Sequence, residues 1–491
     1  MQRNWIFALI LFVAVAAVSS CKYSLSAAEP PAQPAAPQAP VVVDGVRTSY
    51  ADVVEKTSAA VVRIEAEHKE KGTQGSPMGP FGDDLFRQFP QLAPQQRPQI
   101  ERGLGSGVIV SADGTILTNN HVVEGAEKIT VLTSDNHSFD AKVIGTDPPS
   151  DLAVLKIDAK DLPFLTLGNS DNVRVGDIVL AIGNPLGIGQ TVTAGIISAK
   201  GRRTGLSDGS FEDFLQTDAP INRGNSGGAL VNLNSELIGI NSQILSPGGA
   251  QGGNIGIGFA IPSNMAKSVM EQLLKDGKVR RGMLGINIQN ITDDMVQALD
   301  LKDRAGVLVS GVKPGSAAEK AGLKPRDVIV AINGEKIEDS NVLRNKVAGS
   351  LPGSTITLTV LRDGKETDLS ATLDEFDTKA ANTQQQNDQN GPNSGGQGGK
   401  LGVELQPVTP QIAKQLGLDN TQGVVVTQVD PTGPAAESNI MRGDVILEIN
   451  KKAVNSVEDV RSAIEGSGGK PIVLLIARQG QTFFVTVRLD Q

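Results

Sequence analysis

At 491 residues the chain is too long for one ordinary hydrophobic core, and at about 150 residues per domain it divides into roughly three. Its 45 basic and 54 acidic residues leave a net charge of -9 with no long run of either sign, which argues against nucleic acid as the main partner. A single cysteine, Cys21, excludes an internal disulfide in the mature domains, and only three histidines (His68, His121, His137) argue against a zinc site, so neither metal nor cofactor is expected.

Arg3 is followed by a 14-residue apolar run from Trp5 to Val18, short for a membrane span and suited to the apolar region of an export signal. Residues 1–28 read as a signal peptide with small residues at Ser26-Ala27-Ala28 before Glu29, whereas Val18-Ser19-Ser20-Cys21 (18–21) fits a lipoprotein box that would leave Cys21 lipidated. Both readings predict a periplasmic protein, soluble after cleavage or held at a membrane through Cys21. Residues 29–40 form a Pro/Ala-rich spacer that cannot build a core.

Residues 41–280 show short β-type runs between turns. Val108-Ile109-Val110 and Thr115-Ile116-Leu117 flank Ser111-Ala112-Asp113-Gly114, and apolar runs follow at Leu152 to Ile157 and Ile178 to Ile182. The pattern predicts an all-β barrel or sandwich. An irregular insertion, 67–102, carries Phe81, Leu85, Phe86 and Phe89. Loops of that length are usually disordered or functional. Ser263 to Lys275 has helical spacing, with Ser263 as its N-cap and Gly277 as its stop.

The remainder repeats at a constant offset of 117 residues. Leu284-Gly285-Ile286 returns as Leu401-Gly402-Val403, Gly306-Val307-Leu308-Val309 as Gly423-Val424-Val425-Val426, and Asp327-Val328-Ile329 as Asp444-Val445-Ile446. Residues 281–376 and 401–491 are therefore two copies of one domain, separated by a polar linker, 377–400, expected to let them move independently.

Three local motifs carry chemistry: Thr118-Asn119-Asn120-His121-Val122, Ser150-Asp151-Leu152-Ala153-Val154 and Gly224-Asn225-Ser226-Gly227-Gly228. A serine hydroxyl is a poor nucleophile until a neutral imidazole can take its proton, and a carboxylate on the far ring nitrogen fixes the tautomer. Glycines beside the serine let backbone amides, those of Gly224 and Ser226 here, point at a developing oxyanion. Singly each motif has a plainer reading: a tight turn at 224–228, a structural histidine, a turn-capping aspartate with Asp140 and Asp147 as competitors. Together, in the order His, Asp, Ser on an all-β background, they point to nucleophilic catalysis.

These motifs, the leader and the trailing repeats resemble the HtrA/Deg family of periplasmic serine proteases, in its two-PDZ, DegP-like branch. The resemblance implies a mainly β chain: a chymotrypsin-like double β-barrel protease domain followed by two α+β PDZ domains. It implies a His121, Asp151, Ser226 triad, an oxyanion loop at Gly224-Asn225-Ser226, an S1 wall at Ile221 and a regulatory-loop arginine, Arg203. The insertion corresponds to the family's loop that blocks active sites in the resting oligomer, and it has no cysteine for redox control.

A PDZ domain adds a peptide as a strand and holds its terminal carboxylate on backbone amides. Leu284, Gly285 and Ile286, preceded by Arg281, match the family's carboxylate loop, and Leu401, Gly402 and Val403 repeat it with Gly398 in place of Arg281. The first copy is therefore expected to bind peptides better and the second to serve assembly or regulation. By resemblance the partners are unfolded proteins and C-terminal peptides, and the assembly a homotrimer from which cages are built. The rival reading is a chaperone or adaptor that binds unfolded proteins with little proteolysis.

Overall fold

A computed structural model gives the structure of the chain and describes residues 42–43, 46–69, 100–185, 189–204, 211–247, 252–376, 401–416, 418, 421–466 and 471–489. The signal and lipoprotein-box readings, the spacer, the aromatic part of the insertion, the linker and Gly398 lie outside the described residues. Two compact units divide the chain after Asp52. In the first, Val42–Val43 pairs antiparallel with Val46–Arg47.

In the second unit, strands β1 (Val61–Lys69), β2 (Ile100–Ser111), β3 (Thr115–Thr118), β4 (Lys128–Leu132), β5 (Ser138–Asp147) and β6 (Leu152–Ile157) close a barrel in the order β1-β2-β3-β6-β5-β4. Strands β7 (Ile178–Gly183), β8 (Thr191–Arg202), β9 (Phe214–Thr217), β10 (Ala229–Asn232), β11 (Leu237–Ile244) and β12 (Gly258–Pro262) close a second barrel, β7-β8-β9-β12-β11-β10. Renumbered from its first strand, that is the order of the first barrel.

The barrels form because their strands offer aliphatic residues to an enclosed interior. Ile64, Ile109, Ile116, Leu117, Leu152 and Leu155 are fully buried in the first, and Val179, Ala181, Ile197, Leu215, Leu230, Ile238 and Ala260 make one cluster in the second. At about 1.5–3 kcal/mol for each fully buried aliphatic side chain, closure outweighs the weak local preference of such short strands. Helix α2 (Ser263–Asp276) follows a short helix α1 (Asn120–Val123) in chain order and packs against β5 and β6 of one barrel and β11 and β12 of the other. Gly277 ends it in the left-handed region at φ 67°, as expected, but Ser263 is not the N-cap. Its hydroxyl bonds the Gly168 carbonyl at 2.6 Å, and Pro262 holds the cap position.

Each repeat is a six-strand antiparallel sheet with a helix against its first strand: five strands follow one path, and a two-residue strand (Glu335–Lys336 in the first copy, Lys452–Ala453 in the second) pairs with the third. In the first the order is β13 (Ile286–Asn290), β14 (Val307–Val312), β15 (Val328–Ile332), β16 (Thr355–Arg362), β17 (Lys365–Thr372). In the second it is β18 (Val403–Pro407), β19 (Val424–Val429), β20 (Val445–Ile449), β21 (Ile472–Arg478), β22 (Gln481–Val487). The edge strands β13 and β18 each follow a glycine with positive φ, Gly285 at 75° and Gly402 at 71°.

The expected independence of the two copies is not what the structure shows. Val473, Leu475 and Phe484 of the second copy share one buried cluster with Met295, Leu299, Leu308 and Val328 of the first, where Met295 and Leu299 lie on helix α3 (Asp293–Leu299). The Gln289 side chain accepts from the Phe484 amide at 2.7 Å and donates to its carbonyl at 3.0 Å. Ser310 and Thr482 exchange hydroxyl-to-carbonyl bonds. The seating uses positions where the copies differ. Gly311, whose mate is Gln428, leaves room for Thr482, because a Cβ there would collide with the threonine hydroxyl. Arg326 takes a left-handed φ of 76° where its mate is Gly443, and pairs with Glu448. Among the described residues no helix is long and apolar enough to cross a membrane.

Candidate active site

Thr118 of β3 pairs with Ala153 of β6, so the segments just beyond them emerge side by side. His121 stands on α1 after β3, and Asp151 precedes β6 at a left-handed φ of 54°, which Asp tolerates better than most residues. The Asp151 carbonyl accepts from the Asn120 amide at 3.1 Å and from Asn119 Nδ2 at 3.0 Å. Its carboxylate then receives the His121 amide at 3.0 Å and lies 2.8 Å from His121 Nδ1. With Nδ1 turned to the carboxylate, Nε2 is left to exchange a proton.

Ser226 comes from the loop between β9 and β10, in the second barrel. That loop is held by the first barrel through Ser106 of β2. The Ser106 amide donates to the Ser226 carbonyl at 2.8 Å, and its buried hydroxyl donates to the Gly224 carbonyl at 2.6 Å while accepting from the Asn184 amide at 2.8 Å. The glycines after the nucleophile are dictated by this crossing. A Cβ on Gly227 would strike the Ser106 carbonyl and Thr118 Oγ1, and one on Gly228 would strike the Ile182 carbonyl.

Gly224 adopts φ 94°, a conformation glycine reaches without strain. The Asn225 amide is taken by the Asn222 carbonyl at 3.0 Å, whereas the amides of Gly224 and Ser226 bond to no backbone acceptor among the described residues. Of the three residues in the expected oxyanion loop, then, Gly224 and Ser226 keep amides free to donate, and Asn225 is a buried spacer packed against Gly183. Ile221 is buried beneath the loop, with its carbonyl held by Asn254 Nδ2 at 3.1 Å and its Cδ1 beside Gly258.

Two functional positions escaped the sequence reading. Ser106 is one. Ser242 is the other: its hydroxyl donates to Asp151 Oδ2 at 3.0 Å, and its carbonyl accepts the Ser226 hydroxyl at 2.9 Å. The Ser226 Oγ therefore points to the Ser242 carbonyl, and among the described residues no hydrogen bond joins it to His121. Asp140 lies on the surface opposite Lys128, and Asp147 is engaged elsewhere, so neither competes with Asp151.

Arg281 does not serve a carboxylate loop. It is buried against the protease domain, with Nη1 donating to Asp147 Oδ1 at 2.7 Å and its guanidinium 4.7 Å from the Phe211 ring centroid. Asp147 also accepts the Ser150 hydroxyl, one residue before Asp151. Leu284 is core, Gly285 makes the turn and Ile286 opens the edge strand; Leu401, Gly402 and Val403 repeat that layout. Arg203 is exposed at the end of β8, and its charge, second to burial, pulls the guanidinium of Arg344 below its ordinary pKa. Arg344 belongs to helix α4 (Ser340–Gly349), which abuts the same loop. Asn341 and Asn345 of α4 both donate to the Glu212 carbonyl, at 2.9 and 2.8 Å. The Glu212 carboxylate holds Thr204, Thr204 accepts from Gln243, and Gln243 adjoins Ser242.

The sequence matches the family model for a trypsin-like peptidase domain over residues 105–240 and that for a PDZ domain over 282–373 and 399–489. A protein of Chlamydia trachomatis named probable periplasmic serine endoprotease DegP-like is 42% identical over 462 residues, covering 91% of this chain and 90% of its own. One of Haemophilus influenzae named probable periplasmic serine protease do/HhoA-like is 40% identical, covering 90% and 92%. The solved structure of the HtrA-type protease AlgW with tripeptide aligns at a TM-score of 0.54 and 43% identity, covering 67% of this chain and 98% of that one. With relatives of this likeness along nine-tenths of its length, and the double barrel and both repeats in place, the chain belongs to the HtrA/Deg family of periplasmic serine endoproteases as a DegP-like member with two PDZ domains.

Proposed function

We propose that the chain is an ATP-independent endoprotease that cleaves unfolded or damaged envelope proteins, with Ser226 as nucleophile, His121 as general base and acid, and Asp151 as the group that orients the imidazole. The observation that carries this reading is the 2.8 Å contact between His121 Nδ1 and Asp151, placed beside a serine on a glycine-bounded loop with two free amides. Ser226 Oγ attacks the scissile carbonyl as its proton passes to His121 Nε2, and the new oxyanion is held by the amides of Gly224 and Ser226. The C–N bond then breaks, with the Nε2 proton leaving on the amine. Water, deprotonated by the same nitrogen, hydrolyses the acyl-serine. Each oxyanion donor in such sites contributes about 3–4 kcal/mol to the transition state.

Ile221 lines the pocket for the side chain before the scissile bond and favours a small aliphatic one. The edge strands β13 and β18 receive C-terminal peptides, the first copy being the principal binder, and the protein assembles as trimers and trimer-based cages. Arg203 reports PDZ occupancy to the catalytic loops. The deciding comparison is digestion of unfolded casein by the wild-type chain and by Ser226→Ala. Cleavage by the first and none by the second is expected; equal cleavage, or none by either in the presence of C-terminal peptides, removes the assignment.

A further inference from the structure

The joint between the protease domain and the first PDZ domain contains an acidic side chain with no hydrogen-bond donor among the described residues. Asp213 immediately follows Glu212, the residue whose carbonyl is gripped by Asn341 and Asn345 of α4, and precedes Phe214, which pairs with Arg202. Its half-buried carboxylate looks across at Gly201, where a Cβ would stand 3.7 Å from Oδ1, and no hydrogen bond reaches it from the described residues. The charged groups around it come from three elements: Asp171 from the turn at 170–172, Lys200 from β8, and Asp339 with Lys346 from the α4 segment. Both ammonium groups are engaged elsewhere. Lys200 donates to the carbonyls of Asp171 and Val173 at 2.9 and 2.6 Å, and Lys346 pairs with Glu335. Asp339 is occupied capping α4, accepting from the amides of Asn341 and Val342.

We propose that Asp213 is the proton sensor of this joint: uncharged, it lets α4 seat on the loop that leads to Thr204 and Gln243, and charged, it loosens that seat. Burial, then the charge of Asp171, with Asp339 adding to them, push the Asp213 pKa up from 3.8 to about 6 against the opposing pull of Lys200 and Lys346. A carboxyl whose pKa is raised in the seated form favours that form at low pH, and the advantage is lost as pH rises through about 6. Were unseating α4 to return the group all the way to 3.8, the seating constant would rise about fourfold between pH 7.5 and pH 5.5 and about tenfold by pH 5, and these are upper bounds because Asp171 stays beside Asp213 when α4 leaves. Because α4 also packs against β13, the edge strand proposed to receive peptides, mild acid would tighten the link between that domain and the catalytic loops. The seating itself is independent of the proposed triad. Its consequence for cleavage rests on that reading.

Hydrogen exchange of the α4 amides in the full chain, corrected for intrinsic rates, reads the seating without any need for proteolysis. In the wild type, protection over residues 340–349 should rise from pH 7.5 to pH 5.5, by up to about fourfold. Asp213→Asn should be as protected at pH 7.5 as the wild type is in acid, with no pH step, and Asp213→Glu should keep a step. Asp171→Asn should move the midpoint to lower pH. A step that persists in Asp213→Asn, or an Asp213→Asn chain that is poorly protected at every pH, overturns the proposal. If Ser226→Ala shows the same step as wild type, the sensor stands whatever the fate of the triad.

Discussion

Replacing Ser106 with alanine tests whether the first barrel positions the nucleophile loop of the second. Its hydroxyl is wholly buried and makes two bonds, to the Gly224 carbonyl at 2.6 Å and from the Asn184 amide at 2.8 Å. Deleting it leaves both groups buried and unpaired, at about 1–3 kcal/mol each. The Ser106 amide still holds the Ser226 carbonyl, so the loop stays attached at one point. What it loses is the anchor of the Gly224–Asn225 peptide, the plane between the two oxyanion donors. Loss of one such donor outright lowers kcat by about 10²–10³. A donor that is misdirected rather than removed should lower kcat by about ten- to a hundredfold, with KM within about twofold, because Ser106 is wholly buried and offers substrate no contact surface. Steady-state hydrolysis of a fluorogenic peptide gives both constants, and thermal unfolding reports the shared loss of stability. A Ser106→Ala enzyme with wild-type kcat and unfolding temperature would refute the argument.

Two further substitutions follow from the domain contacts. Arg281→Met leaves Asp147 buried without its cation and should weaken the protease–PDZ seat by about 3–5 kcal/mol, seen as earlier unfolding and faster proteolytic nicking near residue 278; adding Asp147→Leu should recover most of it, and a double mutant no better than the single would contradict the pairing. Gly311→Ala drives a methyl into the Thr482 hydroxyl and should unseat the second PDZ domain, raising exchange over Gln481–Val487, whereas Gly311→Ala with Thr482→Ala should reseat it.

The triad and barrels were legible because each announces itself locally. A serine between glycines and a histidine after a buried strand keep their meaning over a few residues, and alternating or continuous aliphatic runs mark strands wherever they pair. Ser106 and Ser242 carry no such mark. Each acquires its role from a partner 118 or 91 residues away in the chain, brought near only when the barrels meet. Arg281 was misread for the opposite reason: it adjoins Leu284-Gly285-Ile286 in sequence, but its side chain leaves in the other direction, under Phe211. The contact between the PDZ copies was recoverable in principle from the repeat itself. Gly311 against Gln428 and Arg326 against Gly443 are departures that a shared fold does not require, and each sits where the copies touch.

These contacts place the first PDZ domain against both sides of the catalytic group. Through Arg281 it grips Asp147 and, with it, the Ser150 hydroxyl beside Asp151; through Asn341 and Asn345 it holds Glu212, and so Thr204, Gln243 and the strand bearing Ser242. The two routes end on the two groups that, in the proposed mechanism, set the state of the nucleophile: Asp151, which contacts His121 Nδ1, and the Ser242 carbonyl, which accepts the Ser226 hydroxyl. A shift of the domain that moved β11 relative to the Asp151 turn would change the balance between the His121 imidazole and the Ser242 carbonyl as acceptors of the Ser226 proton. Coupling of that kind requires an element with two arrangements, not a rigid chain of contacts. In the proposed mechanism the Ser226 hydroxyl would be one such element, and the seat of α4 beside Asp213 is proposed as another.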